Sequence, residues 1–157
     1  MTDTTSPVPD TAQRLSQTQR TLPIALLRAR EAVLERLRPV LAGEDMTEQQ
    51  WRIMRVLEER PHIEAKQLSA LACIHPSSVT RILQTLEKKK MVRIEKSKTD
   101  GRRITISVSR RGTAFIDSVS PEILRIYAEI ESIIGRDVID RTLDQLDRIT
   151  TALERTR

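Results

Sequence analysis

Lys96, Lys98, Arg102 and Arg103 crowd around Asp100-Gly101 in the stretch KSKTDGRRITIS, residues 96–107. A turn joining two strands needs Asp-Gly and little more, so the extra cations point to a negatively charged partner. Cations on a protruding tip can neutralise phosphates. An arginine gains most in a narrow minor groove, where negative potential is concentrated. Arg102 is the candidate for insertion there. Asp100, two residues earlier, can orient its guanidinium through a charge-assisted hydrogen bond. Lys96, Lys98 and Arg103 are expected to meet phosphates or brace the tip.

A second set of donors precedes the first. In PSSVTRILQTLEKKK, residues 76–90, Val79, Ile82, Leu83 and Leu86 fall at i, i+3, i+4 and i+7, one apolar helix face. The other face carries Ser77, Ser78, Thr80, Arg81, Gln84, Thr85 and Lys88. These hydroxyl, amide and cationic groups suit phosphates and base edges.

Both sets need elements to position them. A short helix is expected from Glu64 to Cys73, burying Ala65, Leu68 and Leu71. Ile74-His75-Pro76 turns into the polar-faced helix, which is the helix-turn-helix layout. Val92 and Ile94, then Ile104, Ile106 and Val108, alternate with polar residues, which predicts a hairpin on either side of the cationic tip. Helix-turn-helix followed at once by a basic hairpin is a winged helix. Upstream, Thr47-Glu48-Gln49-Gln50 is a capping box for a helix through Trp51, Ile53, Met54 and Leu57 that stops at Pro61.

The ends of the chain read differently. Thr21 is expected to cap a first helix with Pro23 in its first turn, ending by Pro39 and Gly43. Leu22, Leu26, Ala29, Val33 and Leu37 form one stripe on it, and Leu27, Leu34 and Leu41 a second. After Arg110-Arg111-Gly112 two more helices are expected. The first carries Phe115, Ile116, Val119, Ile123, Ile126, Ile130 and Ile134, with Pro121 either kinking it or forcing a restart capped by Ser120. Gly135 separates it from a second helix, about Arg136 to Glu154, with Val138, Ile139, Leu143, Leu146, Ile149 and Leu153. With no further strands to cover, these apolar faces read as a dimerisation arm.

The expected fold is therefore mainly α (α+β), a winged helix-turn-helix domain with N- and C-terminal helices forming a dimerisation arm. The division is a disordered tail at 1–20, a first dimerisation helix at 21–45, the DNA-binding domain at 46–111 and C-terminal dimerisation helices at 112–157. Charge agrees. Residues 81–111 hold eleven Lys and Arg against Glu87, Glu95 and Asp100, whereas residues 112–157 are net acidic. The positive charge lies in one window, as in a nucleic-acid footprint rather than a generally basic surface.

Other functions find no support. Aromatics are 2% of the chain, too few for single-strand stacking platforms. His62 and His75 do not form a metal-ligand pattern, and no GxSxG, Walker or Rossmann glycine pattern is present. No enzyme, cofactor or metal is expected. No apolar run is long enough for a membrane span, and the N-terminus lacks a secretory h-region, so the expected location is cytoplasmic. The single Cys73 fits a reducing compartment and reads as an inert core thiol rather than an oxidant sensor.

VTRILQTLEKKKMV at 79–92 and DGRR at 100–103 resemble the recognition-helix run and the D-x-R-R wing of the MarR family of winged-helix regulators. The resemblance spans about Leu22 to Glu154. Lys90 stands where the family commonly has glycine, a departure at the helix C-terminus. More narrowly, IALLRAREAVLERLRPVLA at 24–42, TEQQWRIMRVL at 47–57 and ACI at 72–74 resemble regulators of homoprotocatechuate (4-hydroxyphenylacetate) degradation operons. The recognition helix, HPSSVTRIL, departs most from that group.

The resemblance implies a homodimeric repressor on a pseudo-palindromic double-stranded operator, released by a small aromatic carboxylate. The effector positions it transfers are Arg30 and Arg38 on the first helix, Trp51 and Arg52 on the second, and His75. A carboxylate needs a cation and its ring an apolar wall. Arg30 can serve the ligand or an ion pair with the arm, Trp51 the ligand or the core, and His75 the ligand, pH sensing or the recognition-helix cap. The alternatives are a MarR-type regulator of hydroxycinnamate or nicotinate breakdown, oxidant sensing through Cys73, or a winged helix that contacts only proteins.

Overall fold

The computed structural model describes residues 18–96 and 104–156. The chain divides into two units, Met1–Arg36 and Leu37–Arg157. A 3-10 turn at Thr18–Arg20 leads into α1, Leu22–Gly43, which runs from the first unit into the second. Residues 18–20, expected within the tail, thus have regular structure. Thr21 occupies the cap position through its backbone, its carbonyl accepting from Ala25 N–H, but its hydroxyl donates backwards to the Thr18 carbonyl at 2.8 Å. In the first unit Leu22, Leu26 and Leu27 are exposed.

The second unit contains α2 (Glu48–Glu59), α3 (Ala65–Ala72), α4 (Pro76–Lys88), β1 (Val92–Lys96), β2 (Ile104–Val108), α5 (Arg110–Ile134) and α6 (Arg136–Glu154). The expected capping box is present. The Thr47 hydroxyl accepts from Gln50 N–H, and the Gln50 side chain accepts from Thr47 N–H. The strands pair antiparallel with Val92 opposite Val108, Ile94 opposite Ile106 and Lys96 opposite Ile104. A feature missed in the sequence is an isolated bridge from Ile63 to Ile106, a third partial strand beside the hairpin. The core lies where α2, α3, α4 and α5 meet this sheet: Ile53, Met54, Leu57, Leu68, Leu86 and Ile106 are almost wholly buried.

Three helix exits share one device. Asp45, Cys73 and Lys90 all have φ between 50° and 58°. In each case the next residue's N–H bonds back five residues, Met46 to Leu41, Ile74 to Ser69 and Met91 to Leu86, at 2.9–3.1 Å. Those next residues, Met46, Ile74 and Met91, are buried. This is the left-handed C-terminal cap with its hydrophobic anchor, built three times without glycine. The usual cost of left-handed backbone at a side-chain-bearing residue is about 1 kcal/mol.

Several expectations are corrected. α3 buries Leu68, Ser69 and Ala72, whereas Ala65 and Leu71 are exposed, because an eight-residue helix shows the core barely one face. Cys73 is exposed rather than a core thiol, since the left-handed cap turns it outward. α5 neither stops nor restarts at Pro121. It runs through, and Ser120 donates its hydroxyl to the Ile116 carbonyl instead of capping a new helix. It also begins earlier than expected: Ser109 is the cap, so Arg110, Arg111 and Gly112 form the first turn rather than a break before it. A Cβ at Gly112 would lie 2.2 Å from the Met91 carbonyl oxygen and 2.9 Å from Met54 Cε. That glycine permits close approach of α5 to the hairpin.

Candidate nucleic-acid interface

α4 is held from one side and open on the other. Val79, Ile82, Leu83 and Leu86 are buried. Ser77, Thr80, Arg81, Gln84 and Lys88 are exposed, while Ser78 and Thr85 are half-buried at the margin. Among the described residues the side chains of Arg81, Gln84 and Lys88 have no hydrogen-bond or ion-pair partner. Their spacing of three and four residues makes one stripe of unengaged donors, geometry suited to a groove. Thr80 and Thr85 donate to the carbonyls of Pro76 and Arg81, which leaves their oxygens able to accept.

Local chemistry sets where this helix starts and stops. His75 is the cap, its Nδ1 accepting from Ser77 N–H at 3.4 Å and lying 2.8 Å from Ser77 Oγ, with Pro76 in the first turn. The buried Ser69 hydroxyl donates to the Ile74 carbonyl at 2.6 Å, which holds the α3–α4 turn closed. At the other end Lys89 Nζ lies 2.8 Å from Asp45 Oδ2 and also contacts the Asp45 carbonyl. This hydrogen bond and charge hold the Asp45 carboxyl below its ordinary value. The contact ties the end of α4 to the turn that closes α1. Ser109 then joins the exit of α4 to α5, its hydroxyl donating to the Lys90 carbonyl at 2.6 Å and accepting from Gly112 N–H at 3.0 Å.

The hairpin places Lys96 at the end of β1, exposed. The expectations for Lys98, Asp100, Arg102 and Arg103 lie outside the described residues. The five effector candidates are placed as follows. Arg30, in the first unit, is exposed and bonds Glu31 at 3.1 Å. In the second unit Arg38 is exposed. Trp51 is buried, edge-on to Phe115 with ring centroids 6.4 Å apart. Arg52 is half-buried and paired with Glu48, its Nε 3.1 Å from Oε1 but poorly aligned for a hydrogen bond. His75 is the cap already described. No cluster of His, Cys, Asp or Glu able to hold a metal occurs among the described residues, and no described helix is long and apolar enough to cross a membrane.

Residues 46–104, from the α1–α2 turn to the first residue of β2, match the model of the MarR family. The homoprotocatechuate degradative operon repressor of Escherichia coli is 35% identical over 133 residues, covering 85% of each chain. The chain belongs to the MarR family. Another relative, the HTH-type transcriptional regulator FarR of Neisseria gonorrhoeae, is also 35% identical over 133 residues, covering 83% of this chain and 91% of its own. The crystal structure of NadR in complex with 4-hydroxyphenylacetate superposes with a TM-score of 0.79 at 29% identity, covering 87% of this chain and all of NadR. The resemblance read from VTRILQTLEKKKMV and DGRR is thereby borne out, and with it the winged-helix fold. As a MarR regulator the protein is a transcription factor, with α4 in the recognition-helix position and β1–β2 as the wing.

Proposed function

We propose that this MarR regulator is a homodimeric repressor that sets two copies of α4 into successive major grooves of a pseudo-palindromic operator, about one helical turn apart. The observation that carries the reading is the stripe of Arg81, Gln84 and Lys88, exposed and unengaged over a wholly buried opposite face. Arg81 and Gln84 read base edges. Ser77, Ser78, Thr80, Thr85, Lys88 and Lys96 contact phosphate. Arg102, held by Asp100, enters the flanking minor groove, with Lys98 and Arg103 on its phosphates.

Dimerisation is supported by the apolar residues left open on α6 and the start of α1. A small aromatic carboxylate is the effector, supported by the name of the E. coli relative and by the ligand in the NadR crystal. In the second unit Arg38 and Arg52 are candidate partners for its carboxylate, and Trp51 and His75 for its ring and substituent; Arg30, in the first unit, is a separate candidate for the carboxylate. Release follows if the acid binds the DNA-incompetent arrangement more tightly than the competent one. Two relatives of equal identity carry different names, so the regulated operon is a separate question from the mechanism.

Fluorescence anisotropy of the DNA upstream of the protein's own gene, titrated with 4-hydroxyphenylacetate and related aromatic acids, tests this. Release by one acid, lost in the Arg30→Ala, Arg38→Ala or Arg52→Ala variant, is expected. Tight DNA binding that no acid disturbs retains the operator reading and removes the aromatic effector.

A further inference from the structure

Most described arginines on α2, α5 and α6 are neutralised within their own helix. Arg52 pairs with Glu48, Arg55 with Glu58 and Glu59, Arg125 with Glu122 and Glu129, Arg136 with Asp140, and Arg141 with Asp137. One group is not. A depression of about 330 Å³ lies among the exit of α4, the base of β1 and the first turn of α5, lined by Glu87, Lys90, Arg93, Arg110 and Arg111. All four of its cations are exposed and, among the described residues, none has an ion-pair partner. Among the described residues, four positive charges without an ion-pair partner therefore surround one concave surface that also holds the Glu87 carboxylate. Such a concentration of like charge costs self-repulsion unless an anion relieves it.

The depression is continuous with the DNA-reading surface. Glu87 and Lys90 belong to the last turn and exit of α4, following the stripe of Arg81, Gln84 and Lys88. Arg93 is on the outward side of the wing strand. A 13-residue helix is about 20 Å long and the major groove about 12 Å wide, so one end of α4 emerges at a sugar-phosphate strand. Arg93 stands three residues before Lys96, about 10 Å from the tip end of the hairpin, and cannot serve the same phosphates as the tip.

We propose that Lys90, Arg93, Arg110 and Arg111 form a separate phosphate-binding surface that grips the DNA backbone outside the half-sites read by α4 and the wing tip. The proposal rests on the operator reading above and deepens it: the footprint extends beyond the recognised bases, without sequence preference. Arg110 and Arg111 sit in the first turn of α5, where acidic residues favour a helix. Their reversal to glutamate therefore leaves folding intact.

The test uses the full chain, the Arg110→Glu/Arg111→Glu variant and two duplexes centred on the footprinted operator. One duplex ends at the outer edge of the half-sites, and the other extends about ten base pairs further on each side. At about 0.15 M salt, where exposed charges more than about 8 Å apart are largely screened, the variant should bind the long duplex roughly tenfold more weakly. Its salt slope should be lower by about 4, two arginines from each of two protomers, with the short duplex bound as by wild type. Equal weakening on both duplexes, or none on either, overturns the proposal. So does calorimetric binding of pyrophosphate by wild type but not variant while both duplexes bind unchanged, which assigns the surface to a free phosphate anion. Wild-type protein that binds neither duplex refutes the operator reading, and this one with it.

Discussion

α4 and α6 carry the same kind of pattern and use it in opposite ways. Both are amphipathic, with apolar residues at spacings of three and four. On α4 the apolar face is filled by the protein's own core, with Leu86 fully buried, and the polar face is left over. On α6 no residue is buried, and Leu143 and Leu153 are 59% and 64% exposed. Periodicity alone does not say which face of a helix works. What decides is whether the same chain covers the apolar side. Where it does, the polar side is free to bind; where it does not, the apolar side awaits a second surface.

Substitutions can break this contrast. Leu86→Ala leaves a cavity between α4 and the core and should cost about 2–5 kcal/mol in urea unfolding at fixed protein concentration. A loss below about 1 kcal/mol would mean that α4 is not anchored as described. The double change Leu143→Glu and Leu153→Glu should leave the helical circular-dichroism signal intact. It should raise the dissociation constant of the proposed dimer at least roughly a hundredfold in sedimentation, because carboxylates would be buried unpaired in an apolar interface. An unchanged sedimentation profile would assign the open face of α6 elsewhere.

Smaller changes sharpen the account of how α4 ends. Lys90→Gly relieves a left-handed backbone and should stabilise the protein by about 1 kcal/mol. Asp45, whose carboxyl is held low by the Lys89 hydrogen bond and charge, contributes stability present above its unfolded value and lost as pH falls through the folded one. In Lys89→Met an NMR titration should show the Asp45 carboxyl moving up toward its ordinary 3.8, and this acid dependence should disappear.

Local devices were legible in the sequence. The capping box at Thr47, the alternation of Val92 and Ile94 and of Ile104, Ile106 and Val108 in the paired strands, and the apolar spacing of α4 each depend on residues a few positions apart, and each is present among the described residues. Devices that depend on distant partners were not. Lys89 reaches Asp45 across 44 positions, and Gly112 is small because Met91 and Met54 press on it. Cys73 looked buried because its helix was read as one longer, evenly covered segment. The three left-handed caps lacked glycine, yet each is a polar residue or cysteine followed by a large apolar one, Asp45-Met46, Cys73-Ile74 and Lys90-Met91. That pairing is the signal that could have found them. Among effector candidates, the capping role of His75 was anticipated, whereas the edge-on packing of Trp51 on Phe115 needed the fold.

The most direct test of the central claim, that the free face of α4 reads DNA, is base preference. Wild type and Arg81→Ala should be compared on operator duplexes substituted one base pair at a time, with thermal unfolding measured alongside. Unfolding should be unchanged, operator binding weaker, and preference lost by about 1–3 kcal/mol at one position in each half-site. Unchanged affinity together with unchanged preference would contradict this claim and move the reading surface off α4.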